Sequence, residues 1–142
     1  ASLLLARGLP AGTYAKITAS VAATSTTSAA VSAVGATLRV VKAAPSSVKV
    51  SGKAFAKKTR PTVSVSVGKL SNGAYPVGKV KVYVGGKAVT TVTLKSSAHG
   101  KVSVKLPKTY STSIKVKATF TPSDTHNVSS KTSATLTIST KH

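Results

Sequence analysis

The sequence predicts an all-β protein built as an antiparallel sandwich of two sheets, and three observations support this prediction. The chain is rich in Val, Thr and Ser, and Val and Thr favour a pleated, half-buried surface over a helix. Apolar and polar residues alternate over short segments separated by turn signals, and no stretch has a sustained helical period. Two related segments also lie about a hundred residues apart, which is roughly the length of one small sandwich.

The related segments are residues 9–42 and 106–140. Each begins Leu-Pro, has a tyrosine within a few residues and continues as an alternating strand. Each then passes through a Ser/Thr-rich turn into a strand that opens Ala-Thr-Leu. The tyrosines are Tyr14 and Tyr110. Because nothing upstream of the first copy matches the front of a sandwich, the sequence predicts the back half of one repeat followed by a complete second repeat.

Turn signals give the predicted boundaries. The predicted organisation is a partial repeat at 1–43, a linker at 44–46 and a complete sandwich at 47–140. Strands in the partial repeat are predicted at 2–6 (weak), 14–22 and 32–42. Those of the complete sandwich are predicted at 47–51, 61–68, 77–84, 88–94, 101–106, 113–121 and 132–139. Gly85 and Gly86 have the pattern of a two-residue hairpin loop between the third and fourth of these seven strands.

Hydrophobic residues make up 41% of the chain, enough for a core, but aromatic residues make up only 4%. The core is therefore expected to consist mainly of aliphatic side chains. The absence of Cys excludes a disulfide framework. No apolar run is long enough to span a membrane. The inward positions of the alternating strands predict a core of Val63, Val65, Val80, Val82, Val102, Val104, Ile114, Val116, Phe120, Leu136 and Ile138.

The charge is strongly one-sided, with 21 Lys and Arg residues against a single acid and a net charge of +20. Of the basic residues, 17 lie beyond Ala43. Such a charge attracts polyanions, for example nucleic acid or anionic wall polymers. The alternative interpretation is a set of soluble strands whose lysines prevent edge-to-edge pairing.

Five segments of the second repeat resemble the bacterial Ig-like repeat domains of large secreted or cell-surface proteins. They are residues 61–67, 76–82, 86–88, 100–106 and 118–124. In that family a PxGxVxVxxxGK hairpin precedes a strand of the pattern Gxaxvxlp, an aromatic-containing turn and a last strand. The likeness covers 47–140 fully and 9–42 as the back half of a preceding repeat. It implies an Ig-like sandwich.

This sequence departs from the family pattern in the turn before the last strand. The family's aromatic-Ser-Gly-Asp turn is replaced by Phe120-Thr121-Pro122-Ser123-Asp124. The aromatic residue that usually follows the Asp is replaced by His126 or Val128.

An Ig-like sandwich places strands 77–84 and 113–121 side by side in one sheet. Because their lysines alternate with core residues, the resemblance predicts one solvent face that carries Lys79, Lys81, Lys115 and Lys117. Lysines that face each other across strands are expected to repel one another, so a polyanion could relieve the repulsion. Tyr83 points outward beside them and could stack on a sugar or base, although an exposed strand Tyr is more often only a good β-former.

The remaining polar residues do not form a recognisable catalytic or metal-binding pattern. A single carboxylate, Asp124, excludes paired-acid catalysis and a carboxylate-rich Ca²⁺ cage. Asp124 is instead expected to fix a turn through an Asx-type hydrogen bond. His99, His126 and His142 are spread over two turns and the C-terminus, so no metal ligand set is predicted. We therefore expect no catalytic residues, no metal and no cofactor.

Tyr14 and Tyr110 each precede the penultimate strand of their copy. In Ig-like folds a tyrosine at such a place often bonds back to the backbone and locks a corner. This structural role is expected here in preference to ligand stacking.

The first functional hypothesis is a non-enzymatic structural module of a bacterial surface or secreted fibre or stalk protein. The second is a cationic module that binds anionic polymers, such as wall polysaccharide or nucleic acid. The third is a strand-complemented subunit of an extracellular filament. Residues 1–43 are expected to be ordered by neighbouring Ig-like repeats or by another copy of the chain, because their apolar strand faces lack an opposing sheet. The expected location is extracellular or at the bacterial cell surface.

Overall fold

The computed structural model describes residues 9–17, 20–21, 30–31 and 36–141. The chain divides into two compact units, Ala1–Lys42 and Ala43–His142. This division falls one residue before the end of the predicted partial repeat.

The described part of the first unit consists of two antiparallel strand pairs, β1 with β4 and β2 with β3. The four strands are Gly12–Ile17 (β1), Ser20–Val21 (β2), Ala30–Val31 (β3) and Ala36–Val40 (β4). The predicted strand at 2–6 lies outside the described residues, as do Ala19 and Val34 of the predicted apolar faces. Whether these strands need another polypeptide therefore stays a prediction.

The second unit is an all-β sandwich of a three-stranded and a five-stranded sheet, as the sequence predicts. Its strands are Val48–Gly52 (β5), Phe55–Ala56 (β6), Thr62–Val67 (β7), Gly78–Val84 (β8), Lys87–Leu94 (β9), Lys101–Lys105 (β10), Ile114–Pro122 (β11), Lys131–Thr132 (β12), Leu136–Ile138 (β13) and Thr140–Lys141 (β14). One sheet has the order β10-β7-β5. The other has the order β12-β11-β8-β9, with β13 also paired to β11.

Among the described strands of this unit, pairing is antiparallel apart from one short parallel pair, β14 with β6, in which Thr140 pairs with Phe55 and Lys141 with Ala56. This pair has no counterpart in the seven predicted strands, and the predicted strand 132–139 is divided into β12 and β13. The only helical segment of the described chain is a three-residue 3-10 turn at Ser96–Ala98.

The core lies between the two sheets and follows the predicted alternation. Val63, Val80, Val82, Val116 and Phe120 have at most 1% of their surface exposed. Of the predicted core, only Val102 and Leu136 are half-buried rather than buried, and both pack against the core. Burial of these apolar side chains is the main stabilising term of such a sandwich.

The hairpin between β8 and β9 turns at Gly85 and Gly86, as predicted. Both residues have positive φ, 57° and 83°, a region that glycine adopts more readily than any other residue. Two successive residues of this kind form the tight loop that matches the twist of antiparallel strands.

The predicted linker is bonded to the sandwich. The Ala43 N–H donates to the Asn127 carbonyl (2.7 Å), and the Ser129 N–H donates to the Ala43 carbonyl (2.8 Å). Pro45 is buried and forms an isolated antiparallel bridge with Leu70. Residues 43–46 therefore form the first part of the second unit, and we call them the entry segment.

The strand directions define two ends of the sandwich. The entry end contains residues 43–47, 68–77, 95–100 and 123–130, and the exit end contains 53–61, 85–86, 106–113 and 139–141. The assignment follows from the register, since Val48 pairs with Val67 at the entry end and Ile114 with Ile138 near the exit end. The chain thus enters the unit at one end and reaches Lys141 at the opposite end.

Candidate functional site

The four predicted lysines lie on one face of the five-stranded sheet. β8 and β11 are hydrogen-bonded neighbours, and the lysines alternate with fully buried residues of both strands. Lys79, Lys81 and Lys115 are exposed, and Lys117 is half-buried. Together with Tyr83 they form what we call the lysine face.

The register corrects one part of the expectation, because these lysines do not face each other. Lys79 pairs with Thr121 and Lys81 with Thr119. Lys117 pairs with Tyr83. Since the strands are antiparallel, the two lysines of β8 lie towards the entry end and those of β11 towards the exit end. No lysine of one strand therefore lies directly opposite a lysine of the other, and the repulsion expected between opposing like charges is reduced.

Tyr83 is partly covered by its own neighbour. The Lys117 Nζ lies 5.4 Å from the centroid of the Tyr83 ring, within the range of a cation–π contact. One face of the ring is therefore in contact with Lys117. Stacking of a sugar or base on that face would require Lys117 to move, which makes Tyr83 a weaker platform than the sequence predicts.

A second group of lysines lies on the outer face of the three-stranded sheet, and it was not predicted from the sequence. Lys101 of β10 and Lys49 of β5 are both paired with Ser66 of β7, which lies between them. Lys105 lies on the same face. At about 4.8 Å between strands, Lys49 and Lys101 start roughly 10 Å apart. Alternation of lysine and valine in the sequence indicated that these lysines point outward. Only the strand order shows that they lie on the same face.

Asp124 forms the predicted Asx-type turn. Its Oδ1 accepts hydrogen bonds from the N–H groups of His126 and Asn127, both at 3.0 Å. Its Oδ2 accepts one from Asn127 Nδ2 at 2.8 Å. The side-chain bond from Asn127 is the largest cause that holds the pKa of Asp124 below its usual value, followed by the backbone bond from Asn127. The only side-chain carboxylate of the chain is thus engaged by its own loop.

The two tyrosines of the repeat behave differently. The Tyr14 hydroxyl donates to the Pro10 carbonyl at 2.8 Å, the predicted bond back to the backbone. The Tyr110 ring packs against the core, and burial raises the pKa of its hydroxyl. Among the described residues none bonds that hydroxyl. Two backbone bonds hold its corner instead, since the Tyr110 N–H donates to the Thr59 carbonyl and the Lys58 N–H donates to the Tyr110 carbonyl. Tyr110 follows its Leu-Pro pair one residue sooner than Tyr14 does. The carbonyl of its proline therefore does not occupy the position that the Pro10 carbonyl has relative to Tyr14.

His99 stacks beside Tyr75 at the entry end. The ring centroids are 4.6 Å apart, and the Lys69 Nζ lies 5.0 Å from the Tyr75 centroid. In the described part of the chain no three His, Asp or Glu residues are grouped closely enough to hold a metal. His142 lies outside the described residues.

A cavity of about 580 Å³ lies where β5 bends towards β6. Its lining includes Lys53, Arg60 and the hydroxyl-bearing residues Ser51 and Thr59. The Thr59 hydroxyl is already used, because it donates to the Ala56 carbonyl at 2.6 Å.

A scan of protein-family models, a search of curated proteins and a search of solved structures each found no match to this chain. No helix within the described ranges is long and apolar enough to cross a membrane.

Proposed function

We propose that the second unit is a non-enzymatic structural module with an Ig-like fold, which acts as a spacer or stalk element in a bacterial surface or secreted protein. The observation that carries this proposal is the position of the two chain ends of the unit. Ala43 bonds to residues 127–129 at the entry end, and Thr140 pairs with Phe55 at the exit end. A unit whose chain enters and leaves at opposite ends adds its full length to a fibre.

The strand order supports an Ig-like assignment. Counting β12 and β13 as one, the two sheets contain seven principal strands. The first, second and fifth lie in one sheet, and the third, sixth and seventh lie in the other. This is the arrangement of the constant-type Ig sandwich, except that the fourth strand, β9, joins the third rather than the fifth.

The bonds at the two ends are oriented to resist tension along the unit. β6 and β14 run in parallel, and force would pull β14 towards the exit end while drawing β6, through β5, towards the entry end. The hydrogen bonds between the two strands would therefore be loaded together, in shear, rather than one after another. Ala43 and Val128 form a second parallel bridge at the entry end.

The cellular location can be tested with the whole chain. Immunogold labelling of intact bacteria that produce the protein should place it on the outer surface or in extracellular fibres. Label that appears only after the cells are opened would contradict the proposed location.

A second function is favoured by the charge distribution. The lysine face and the opposite row of Lys49, Lys101 and Lys105 cover both outer sheet surfaces. Asp124 is the only acidic side chain, so the chain has no other carboxylate side chain that could neutralise these lysines. We propose that these faces bind anionic polymers, with the lysine face as the principal site. Salt-dependent binding to an acidic polymer is the test.

A further inference from the structure

The edge strand β9 differs from the other edges of the sandwich. Natural sheets protect an edge with short strands, lysines, prolines or interruptions. β10 carries Lys101 and Lys105, β5 is five residues long with Lys49 near its centre, and β12 is separated from β13 by residues 133–135. β9 has eight residues and no charge or proline between Ala88 and Leu94. Its protective features lie at its first residues: the exposed Lys87 and an irregularity in the pairing with β8 near Ala88.

The hydrogen-bond alternation shows which groups of β9 point outward. The Gly85 N–H donates to the Lys115 carbonyl, so in β8 the odd-numbered residues bond to β11. Val80 and Val82 therefore bond to β9, through Val92 and Thr90. The backbone N–H and C=O groups of Thr91 and Thr93 consequently point away from the sheet, and no described residue pairs with them.

The chemistry beside this edge indicates its partner. Thr91 is paired with Lys81 and Thr93 with Lys79, so the threonines lie in the same rows as two exposed lysines. A residue added opposite Thr91 would start about 10 Å from Lys81, a gap that a glutamate and a lysine side chain can close together. On the inner face, the half-buried Val92 would meet an apolar side chain.

We propose that β9 binds an extended peptide segment by strand addition, and that the segment alternates acidic and apolar residues. The acidic residues lie opposite Thr91 and Thr93, beside Lys81 and Lys79, and the apolar ones extend the inner face. The backbone bonds supply affinity and the alternating side chains supply specificity. A second copy of this chain is disfavoured as the occupant, because each copy carries a net charge of +20 and brings its own lysines to the contact. The proposal does not depend on the spacer function.

The direct test is amide hydrogen exchange of the full chain, with and without a synthetic peptide that alternates glutamate and valine. In the free protein the amides of Thr91 and Thr93 should exchange quickly, while those of Thr90 and Val92 are protected. On binding, Thr91 and Thr93 should gain protection by at least tenfold. A gain elsewhere, or none, would overturn the proposal, as would equal binding of a peptide that alternates lysine and valine.

Two proline variants provide a matched pair. Thr91→Pro removes an outward N–H of β9 and should abolish peptide binding while leaving binding to acidic polymers unchanged. Ser103→Pro makes the same change on β10, where the backbone N–H groups of the odd-numbered residues also point away from the sheet. This variant should leave peptide binding intact. If Thr91→Pro unfolds the chain, Thr91→Glu with Thr93→Glu serves instead, because it repels the acidic peptide. Binding that survives these changes contradicts strand addition at β9, and self-association of the unmodified chain through Thr91 contradicts the acidic partner.

Discussion

The Lys131 ammonium group donates a hydrogen bond to the Pro45 carbonyl at 3.0 Å, and a second to the Ser46 carbonyl at 2.9 Å. Lys131 is paired with Phe120, whose side chain is buried, so the lysine starts on the inner side of the sheet and extends along its margin. It thereby joins the entry segment to β12, across 86 residues of sequence.

Replacing Lys131 by Met should lower the free energy of unfolding by about 1 kcal/mol, since it removes two charge-assisted bonds near the surface. Urea denaturation followed by circular dichroism measures the change. Lys101→Met is the matched control on the outer face of the other sheet and should have little effect. Equal stability of the two variants would show that the bonds of Lys131 to the entry segment contribute nothing measurable.

The core makes a second prediction. Phe120→Ala should destabilise the chain by about 3–5 kcal/mol, because it deletes a fully buried aromatic side chain of β11 from the core. Val82→Asp should cost several kcal/mol as well, because it buries an unpaired charge. Val77→Ala is a suitable control, as Val77 is 43% exposed. Thermal unfolding of the three variants ranks their stabilities. A Phe120→Ala protein as stable as Val77→Ala would refute the assigned core.

Asp124 is the only acidic side chain of the protein, so a loss of stability at acidic pH can be examined at one side chain. The folded-state pKa of Asp124 is lowered, so its contribution is fully present above the pKa of an unfolded aspartate and is lost as pH falls through the folded value. Melting temperatures recorded at decreasing acidic pH should therefore decline, and Asp124→Asn should flatten that decline while keeping an acceptor for the backbone bonds. Asn127→Ala removes the largest cause of the shift and should move the decline to higher pH. An unchanged acid profile in both variants would contradict this role.

Binding to acidic polymers should depend on salt and on the lysine face. The variant with Lys79, Lys81, Lys115 and Lys117 replaced by Gln should bind heparin more weakly and with a shallower dependence on salt concentration. A variant with Lys49, Lys101 and Lys105 replaced by Gln removes charge from the opposite sheet and should have the smaller effect per lysine. Equal losses per lysine would show that net charge alone governs the binding.

Local patterns predicted much of this structure. Strict valine alternation predicted β7, β8 and their buried faces, and Gly85-Gly86 predicted the hairpin. Asp124 was recognisable as a turn residue because its bonds are to residues two and three positions along the chain. In each case the signal lies within a few residues of the feature.

The features that sequence patterns did not reveal depend on residues distant in the chain. The β6–β14 pair has only two residues on each side, too few for an alternation to appear. The entry segment has linker-like composition, and its bonds to residues 127–129 depend on the completed fold. The offset between the lysines of β8 and β11 likewise depends on the register, which alternation alone does not fix.

If the second unit is a tension-bearing spacer, it should resist force along its axis. The chain lacks cysteine, so pairs of introduced cysteines can carry single-molecule handles without competing thiols. Val41→Cys with Lys141→Cys applies force between the entry and exit ends. Lys108→Cys with Lys141→Cys applies it at the exit end alone and separates β13 from β11 one bond after another.

Single-molecule unfolding at one pulling speed then compares the two directions in the same fold. Forced unfolding reports the barrier to unfolding rather than overall stability, so the direction of force decides the result. We expect a clearly higher unfolding force for the 41/141 pair than for the 108/141 pair. Equal forces, or a lower force between the two ends, would contradict a tension-bearing spacer.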